Sequence, residues 1–439
     1  MASFFIILFP LLWLWYSSSV NADTINAQAD FNKKEVLAVT TKDIKTNVHE
    51  FFEYQTQWLF ERVPYVKIEH TDVNIGDSSG VEEYHPNFDI MEEKGYSYLL
   101  YYTIEQNANF ITIAYILFDG LYQSSILSNT YNFNIQDLEK ATKNIASDIY
   151  HQITGEFPFF IGKAFYTERS KQTGYQVLYS QDLNRNKIQY TNENTMITSP
   201  TYCQGGKKIF VAQKQKYLMN LQEINTLSLL TTPLKLSKFE GHNLSSPEIS
   251  ANCQNIVFAA SDGSQSAIYL HSFKENKTIE VIKNSSLNTR PVFGLEGKIY
   301  YLSNKFGTPK IFAKSLKDKG ESIISRGLGS YIYFAISPDF RKIAFVKIFS
   351  GKFYLGIMNI DGSNEILLKE AYIIEAPSWA PIGNNLIVAM QKDSKSITRN
   401  IYSVSTITAY SYPLKILSGN IVQANWIIDE SDTLKHNYH

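Results

Sequence analysis

Long apolar runs are what this sequence most plainly lacks. Past the first 22 residues no stretch reaches the 18 consecutive apolar residues that read as a membrane-spanning helix. Excess charge is missing too: 41 Lys and Arg stand against 42 Asp and Glu, a net charge of −1. That balance excludes the basic footprint of a nucleic-acid-binding protein. Cysteine is scarce. Cys203 and Cys253 fall in neighbouring repeats at different offsets from the repeat anchors, so facing geometry is not implied and two free thiols are expected, with a disulfide as the alternative. The eight histidines are scattered, and His436 and His439, at helical spacing in a polar tail, read as solvent-facing rather than as metal ligands. Gly155 and Gly162-Lys163 do not have the spacing of a phosphate loop, and Ala164 stands where a hydroxyl is needed. A nucleophile elbow, Gly-x-Ser-x-Gly on a strand-to-helix turn, is not expected either. No catalytic residue, cofactor or metal site is therefore assigned.

What is abundant is aromatic: 14% of the chain, mostly Tyr and Phe, which favours strands. The first 22 residues are of another material. Phe4 to Tyr16 is apolar, too short to span a bilayer, and Val20 and Ala22 stand at −3 and −1 of a cleavage site, as in a secretory signal, although no Lys or Arg precedes the run.

Residues 23–157 read as a small α/β domain. Strands are expected at Val36–Thr40 and Tyr65–Glu69, around a helix carrying Ile44, Val48, Phe51, Phe52, Trp58 and Leu59 and ended by Pro64. A short helix over Asn87–Lys94 is stopped by Gly95, and three strands follow, with Asp119-Gly120 turning the last pair. The domain closes on a helix with the stripe Ile135, Leu138, Thr142, Ile145, Ile149 and Ile153, capped by Asn134 and Gly155.

From about 158 to 430 a strand–turn–strand unit recurs. Anchored on the first apolar residue after the turn, it gives Ile209, Ile256, Ile299, Ile343 and Leu386, at steps of 47, 43, 44 and 43 residues, with a weaker copy at Ala164. A period of about 40–50 residues built from strands predicts a β-propeller. The opening unit lacks an inner strand, and the chain ends its last unit on an orphan one, Ala424–Ile428. Pairing them predicts six blades with the ring sealed, hiding two sheet edges. The inward positions of the inner strands are Tyr202, Ile249, Phe293, Ile336, Trp379 and Trp426, read as packing between blades. Residues 431–439 form a polar tail. The loops leading into the inner strands converge on one face of the ring and mix Tyr, His, Arg and Asn, types suited to protein interfaces.

The segment Ile149-Tyr150-His151-Gln152-Ile153-Thr154-Gly155, the strand Lys163–Tyr166, and Ile336-Ser337-Pro338-Asp339-Phe340 before Lys342-Ile343-Ala344-Phe345 carry a resemblance. Together with the order of leader, α/β domain and propeller, they resemble the TolB family, periplasmic propellers of the Tol–Pal system of Gram-negative bacteria. The resemblance implies a monomeric, non-enzymatic adaptor in the periplasm. It would bind the lipoprotein Pal at the channel mouth, contact TolA through its N-terminal segment, associate with the membrane only through partners, and support outer-membrane integrity and cell division. The family's His-Asn pair matches His242-Asn243, and Asn288-Thr289 matches the next loop; loop correspondence adds Tyr331, Glu375 and Gln423 to the same rim. The family's short apolar N-terminal segment has no recognisable counterpart in Asp23–Lys34. The alternative is a propeller enzyme or ligand binder using the central channel, which calls for a convergent cluster of His, Asp or Glu on the channel wall.

Overall fold

The computed structural model describes residues 33–433 apart from 41–45, 72–74, 78–80, 82, 319, 383, 397, 415–416, 418 and 430–431. The expected leader of residues 1–22 and most of the tail of 431–439 lie outside the described residues.

Five strands form the first sheet, in the order Val66–Thr71, Lys34–Thr40, Tyr98–Asn107, Phe110–Asp119, Ser124–Asn134. Lys34–Thr40 runs parallel to both of its neighbours, since helix α1 (Asn47–Phe60) carries the chain back before the second strand. The last three strands form an antiparallel meander. Helix α2 (Phe88–Lys94) follows its expected limits: Asn87 accepts a hydrogen bond from the Ile90 N–H at 3.2 Å, and Gly95 is left-handed at φ +76°. Helix α3 (Leu138–Thr154) ends on Gly155 at φ +69°, and its Ile145, Ile149 and Ile153 are buried with Phe52, Leu59 and Phe60 of α1 against the sheet. Each such aliphatic contributes about 1.5–3 kcal/mol by leaving water.

Two local expectations differ from the structure. Ile135 does not join the α3 stripe and is 38% exposed, because residues 135–137 form a tighter 3-10 turn that rotates it away from the core. The hairpin after Asp119 is wider than an Asp-Gly reversal. The Asp119 carboxylate accepts from the Leu121 and Tyr122 N–H groups, and the left-handed residue is Gln123. The chain also contains one Gly-x-Ser-x-Gly string, Gly76-Asp77-Ser78-Ser79-Gly80. Gly76–Asp77 pairs antiparallel with His85–Pro86, so the described flanks do not make the strand-to-helix turn that exposes a nucleophile.

The remaining strands form six sheets, each a blade. Blade 1 is Lys187–Gln189, Gln176–Asp182, Lys163–Arg169 and, innermost, Ile421–Ile427, with Trp426 opposite Ala164. The inner strands of blades 2 to 5 are Ile197–Tyr202, Asn243–Ile249, Asn288–Phe293 and Ser330–Ile336. That of blade 6 is broken around Pro377 into Ile373–Ile374 and Ser378–Trp379, where a residue without an N–H interrupts the ladder. The repeat anchors Ile209, Ile256, Ile299, Ile343 and Leu386 are fully buried and Ala164 nearly so. The turn after Ile336 shows how the repeat is built. Ser337 Oγ donates to Asp339 and accepts from the Lys342 N–H, while Phe340 takes the left-handed conformation at φ +57°.

The cysteines correct the expectation of free thiols: Cys203 and Cys253 form a disulfide, with Cα atoms 5.5 Å apart. Cys203 lies six residues before its anchor and Cys253 three before its own, so the offsets look unmatched along the chain. Both nonetheless stand in the turns that follow the inner strands of adjacent blades, and rotation about the ring axis brings those turns side by side.

The candidate site at the channel mouth

Alternate strands of a blade run in opposite directions, so every inner strand starts on one face of the ring. The α/β domain packs on the other face. There Trp426 Nε1 donates to the Ile161 carbonyl at 2.6 Å, Asn385 Nδ2 to Glu156 Oε2 at 3.1 Å, and the Phe157 N–H to Asn385 Oδ1 at 3.0 Å. The starting face carries exposed large apolar side chains at the tips of its loops and hairpins. Tyr217 is 92% exposed, Leu328 72%, Phe306 69%, Tyr372 53% and Leu287 51%.

Along the channel behind this face the inner strands surround a cavity of about 300 Å³, lined from the bulge residues Ser199, Ser246 and Arg290 to Pro338 and Trp379 at the strand ends. Its wall is more polar than the sequence implied: Thr201, Glu248, Arg290, Tyr333, Gln423 and Asn425 are among its lining residues. Neighbouring residues on a strand face opposite ways. The apolar residue that packs against the next blade, such as Ile249 or Trp426, therefore leaves its polar predecessor, Glu248 or Asn425, to the channel.

The wall has two charged sides. On one, Thr201 Oγ1 donates to Glu248 Oε2 at 3.2 Å and accepts from the Ile249 N–H at 3.2 Å. Burial among the blades pushes the Glu248 carboxyl up from its ordinary 4.5 to about 7, against the Thr201 hydrogen bond. On the other side a chain of contacts crosses blades 4, 5 and 6. The Arg290 guanidinium lies 4.1 Å from the centre of the Tyr333 ring, Tyr333 OH donates to Glu375 Oε2 at 3.2 Å, and Arg399 Nε stands 3.3 Å from Glu375 Oε1. Desolvation is the largest influence on Arg290 and lowers its pKa, with Tyr333 and Glu375 acting the other way.

Local backbone explains how these side chains are aimed. Ser199, Ser246 and Arg290 are all left-handed, at φ +52°, +49° and +51°, and each precedes a proline at a register shift in the inner strand. Such a bulge re-aims a side chain. The left-handed conformation costs a non-glycine residue about 1–2 kcal/mol.

The seven rim residues expected from the sequence separate into two groups. His242 is half-buried, with its ring edge-on to Phe239 at 6.1 Å; Asn243 is exposed and accepts from the Met219 N–H at 3.1 Å. Thr289 and Gln423 are half-buried, and Glu375 is buried next to the cavity-lining Ala376, behind Tyr333. Asn288 and Tyr331 are not surface residues, since both are fully buried. Asn288 Nδ2 donates to the Ser266 carbonyl and to Asn284 Oδ1, each at 2.9 Å, and its backbone is bracketed by Ser266 Oγ. Tyr331 OH donates to Glu365 at 2.5 Å. Both belong to strands that start earlier than expected, so residues read as loop are ladder members. Glu248, Arg290 and Arg399 were not singled out from the sequence. The signal for Arg290 is the Arg-Pro pair, aligned with Ser199-Pro200 and Ser246-Pro247. Among the described residues no three His, Cys, Asp or Glu side chains converge.

Residues 150–428 match the family model described as the TolB beta propeller domain. The chain belongs to this TolB propeller family. A Tol-Pal system protein TolB of Wolbachia pipientis wMel is 48% identical over 60 residues, 14% of each chain. The protein of that name in Francisella tularensis SCHU S4 is 26% identical over 227 residues, 49% of this chain and 51% of the relative. The chain thus spans between a seventh and about half of the length of these relatives. The crystal structure of TolB from Acinetobacter baumannii shares the fold, at a TM-score of 0.71 and 18% identity, covering 91% of this chain and 98% of that one.

Proposed function

We propose that this TolB-family chain is a periplasmic scaffold that binds the peptidoglycan-associated lipoprotein Pal on the starting face of its propeller. One observation carries the reading. The face left uncovered by the α/β domain holds a ring of exposed Tyr, Phe and Leu around a polar, concave centre. Exposed apolar groups at a rim with Arg and Tyr toward the middle are the composition of a protein-binding surface. Within that surface His242, Asn243, Thr289, Glu375 and Gln423 are the contact residues, and Asn288 and Tyr331 support them from behind. A non-enzymatic role fits a channel wall on which Glu248 is held by Thr201, Arg290 lies on the Tyr333 ring and Glu375 pairs with Arg399. Contact with TolA through the segment before Lys33, and support of outer-membrane integrity and cell division, complete the reading.

The test is titration of the Pal soluble domain, from the same cell, into the wild type and into a His242→Ala, Thr289→Ala double variant. Binding weakened at least tenfold, with an unchanged melting temperature, supports the reading. Equal affinity would remove these residues from the interface, and absence of binding to the wild type would remove Pal.

A further inference from the structure

Two guanidinium groups, Arg290 and Arg399, stand at or beside the channel wall, and of the two only Arg399 is in an ion pair among the described residues. Glu375 already takes Arg399 on one oxygen and the Tyr333 hydroxyl on the other. Glu248 is held by Thr201. Among the described residues no carboxylate oxygen comes within 4.0 Å of the Arg290 guanidinium, whose near neighbour is the face of Tyr333. A guanidinium presents a fixed fork of donors that matches a carboxylate, and that of Arg290 feels Glu375 only from beyond ion-pair distance. The fold does not require arginine here. Blades 2 and 3 place Ser199 and Ser246 in the same left-handed conformation before the same proline, so the backbone is satisfied by a small hydroxyl residue. The side chain of Arg290 is thus surplus to the architecture and lines the channel cavity of about 300 Å³, at the level of the bulges near the start of the inner strands.

We propose that Arg290 receives one carboxylate carried by the partner protein, an Asp or Glu side chain that reaches past the rim into the channel mouth. This rests on the reading that the starting face binds Pal, and it names the chemistry that the partner must present. Ser246 and Gln423 flank the cavity and supply further polar contacts to the incoming acid. Tyr333 holds the guanidinium in place from below, and Arg399 keeps Glu375 from competing for it.

The experiment is a double-mutant cycle on the full chain and the Pal soluble domain, read by calorimetric titration. Arg290→Ser, which installs the residue of blades 2 and 3, is expected to weaken binding roughly 30-fold or more, and Arg290→Lys to recover part of the loss. Each surface Asp or Glu of Pal is changed in turn to Asn or Gln. One of them is expected to lose the same factor against the wild type and nothing further against Arg290→Ser. If Arg290→Ser lowers the melting temperature, Arg290→Gln gives the same comparison with the side-chain volume kept. Wild-type affinity in the Ser and Gln variants, or additive losses with every acidic position of Pal, would overturn the inference and leave the functional reading standing. A wild type that does not bind Pal would overturn both.

Discussion

Trp426 and Ile161 are 265 residues apart in the chain and share a hydrogen bond of 2.6 Å, indole N–H to carbonyl. The bond ties the last strand of the propeller to the linker that leaves the α/β domain. It joins the two ends of the ring at the point where the first domain sits. Phe159, left-handed at φ +62° and buried, packs edge-on against the same indole at 5.2 Å. Residues from both domains and both ends of the ring thus meet in one cluster.

Removal of residues 419–439 takes away the strand Ile421–Ile427 and with it the inner edge of blade 1. The exposed edge of Lys163–Arg169 then has no ladder partner, and the ring loses its closure. The expected outcome is loss of the single cooperative thermal transition, measured by calorimetry beside the intact chain. Trp426→Phe, which keeps the ring but not the N–H, is expected to cost about 1–2 kcal/mol in urea unfolding.

The Cys203–Cys253 bond closes a loop with a separation of 50 residues and links two adjacent blades. Constraint of the unfolded chain by a loop of that length is worth about 2–4 kcal/mol. Urea titration of the wild type with and without dithiothreitol, and of the Cys203→Ser, Cys253→Ser double variant, should show that drop. The double variant should be insensitive to the reductant.

Asn288→Ala acts on folding before it acts on binding. The side chain is fully buried and its amide donates to three acceptors. Its loss leaves the Ser266 carbonyl and Asn284 unanswered, at an expected cost of about 2–3 kcal/mol. His242→Ala, at a half-buried ring with one long hydrogen bond and an edge contact to Phe239, should leave the melting temperature nearly unchanged. Differential scanning fluorimetry on the two variants separates the supporting residue from the surface one.

Stability should fall as pH rises from about 4.5 to about 7 through Glu248, whose folded carboxyl is raised over that window. In it the folded chain binds more protons than the unfolded one, so the contribution is present at low pH and lost at high pH. Glu156, buried at the domain junction and raised by desolvation, has the same sign. Asp262 is opposite: backbone and side-chain hydrogen bonds from Ser264 and Gln265 lower it from 3.8 to about 2, so its contribution is lost below that range. Urea midpoints between pH 5 and 8 should decline in the wild type and decline less in Glu248→Gln. An unchanged slope would remove Glu248 as a source.

The period of the repeats, the caps of α2 and α3 and the orphan strand at the far end are local or one-dimensional facts, and the sequence alone determined the two folds and the six-bladed ring from them. Asn87, Gly95 and Gly155 stand where expected because a cap is set by the few residues around it. Only the tertiary structure decided which residues face the channel. That depends on bulges before Pro200, Pro247 and Pro291, which shift the strand register by a residue and exchange inside for outside. The bulge before Pro291 turned Arg290 to the channel and is invisible to a reading that assumes unbroken alternation, while Asn288 and Tyr331 are buried because their strands begin earlier than a loop reading allows. The disulfide was hidden for a related reason. Angular neighbourhood around a ring axis is a property of the closed propeller, and residue offsets along the chain do not carry it.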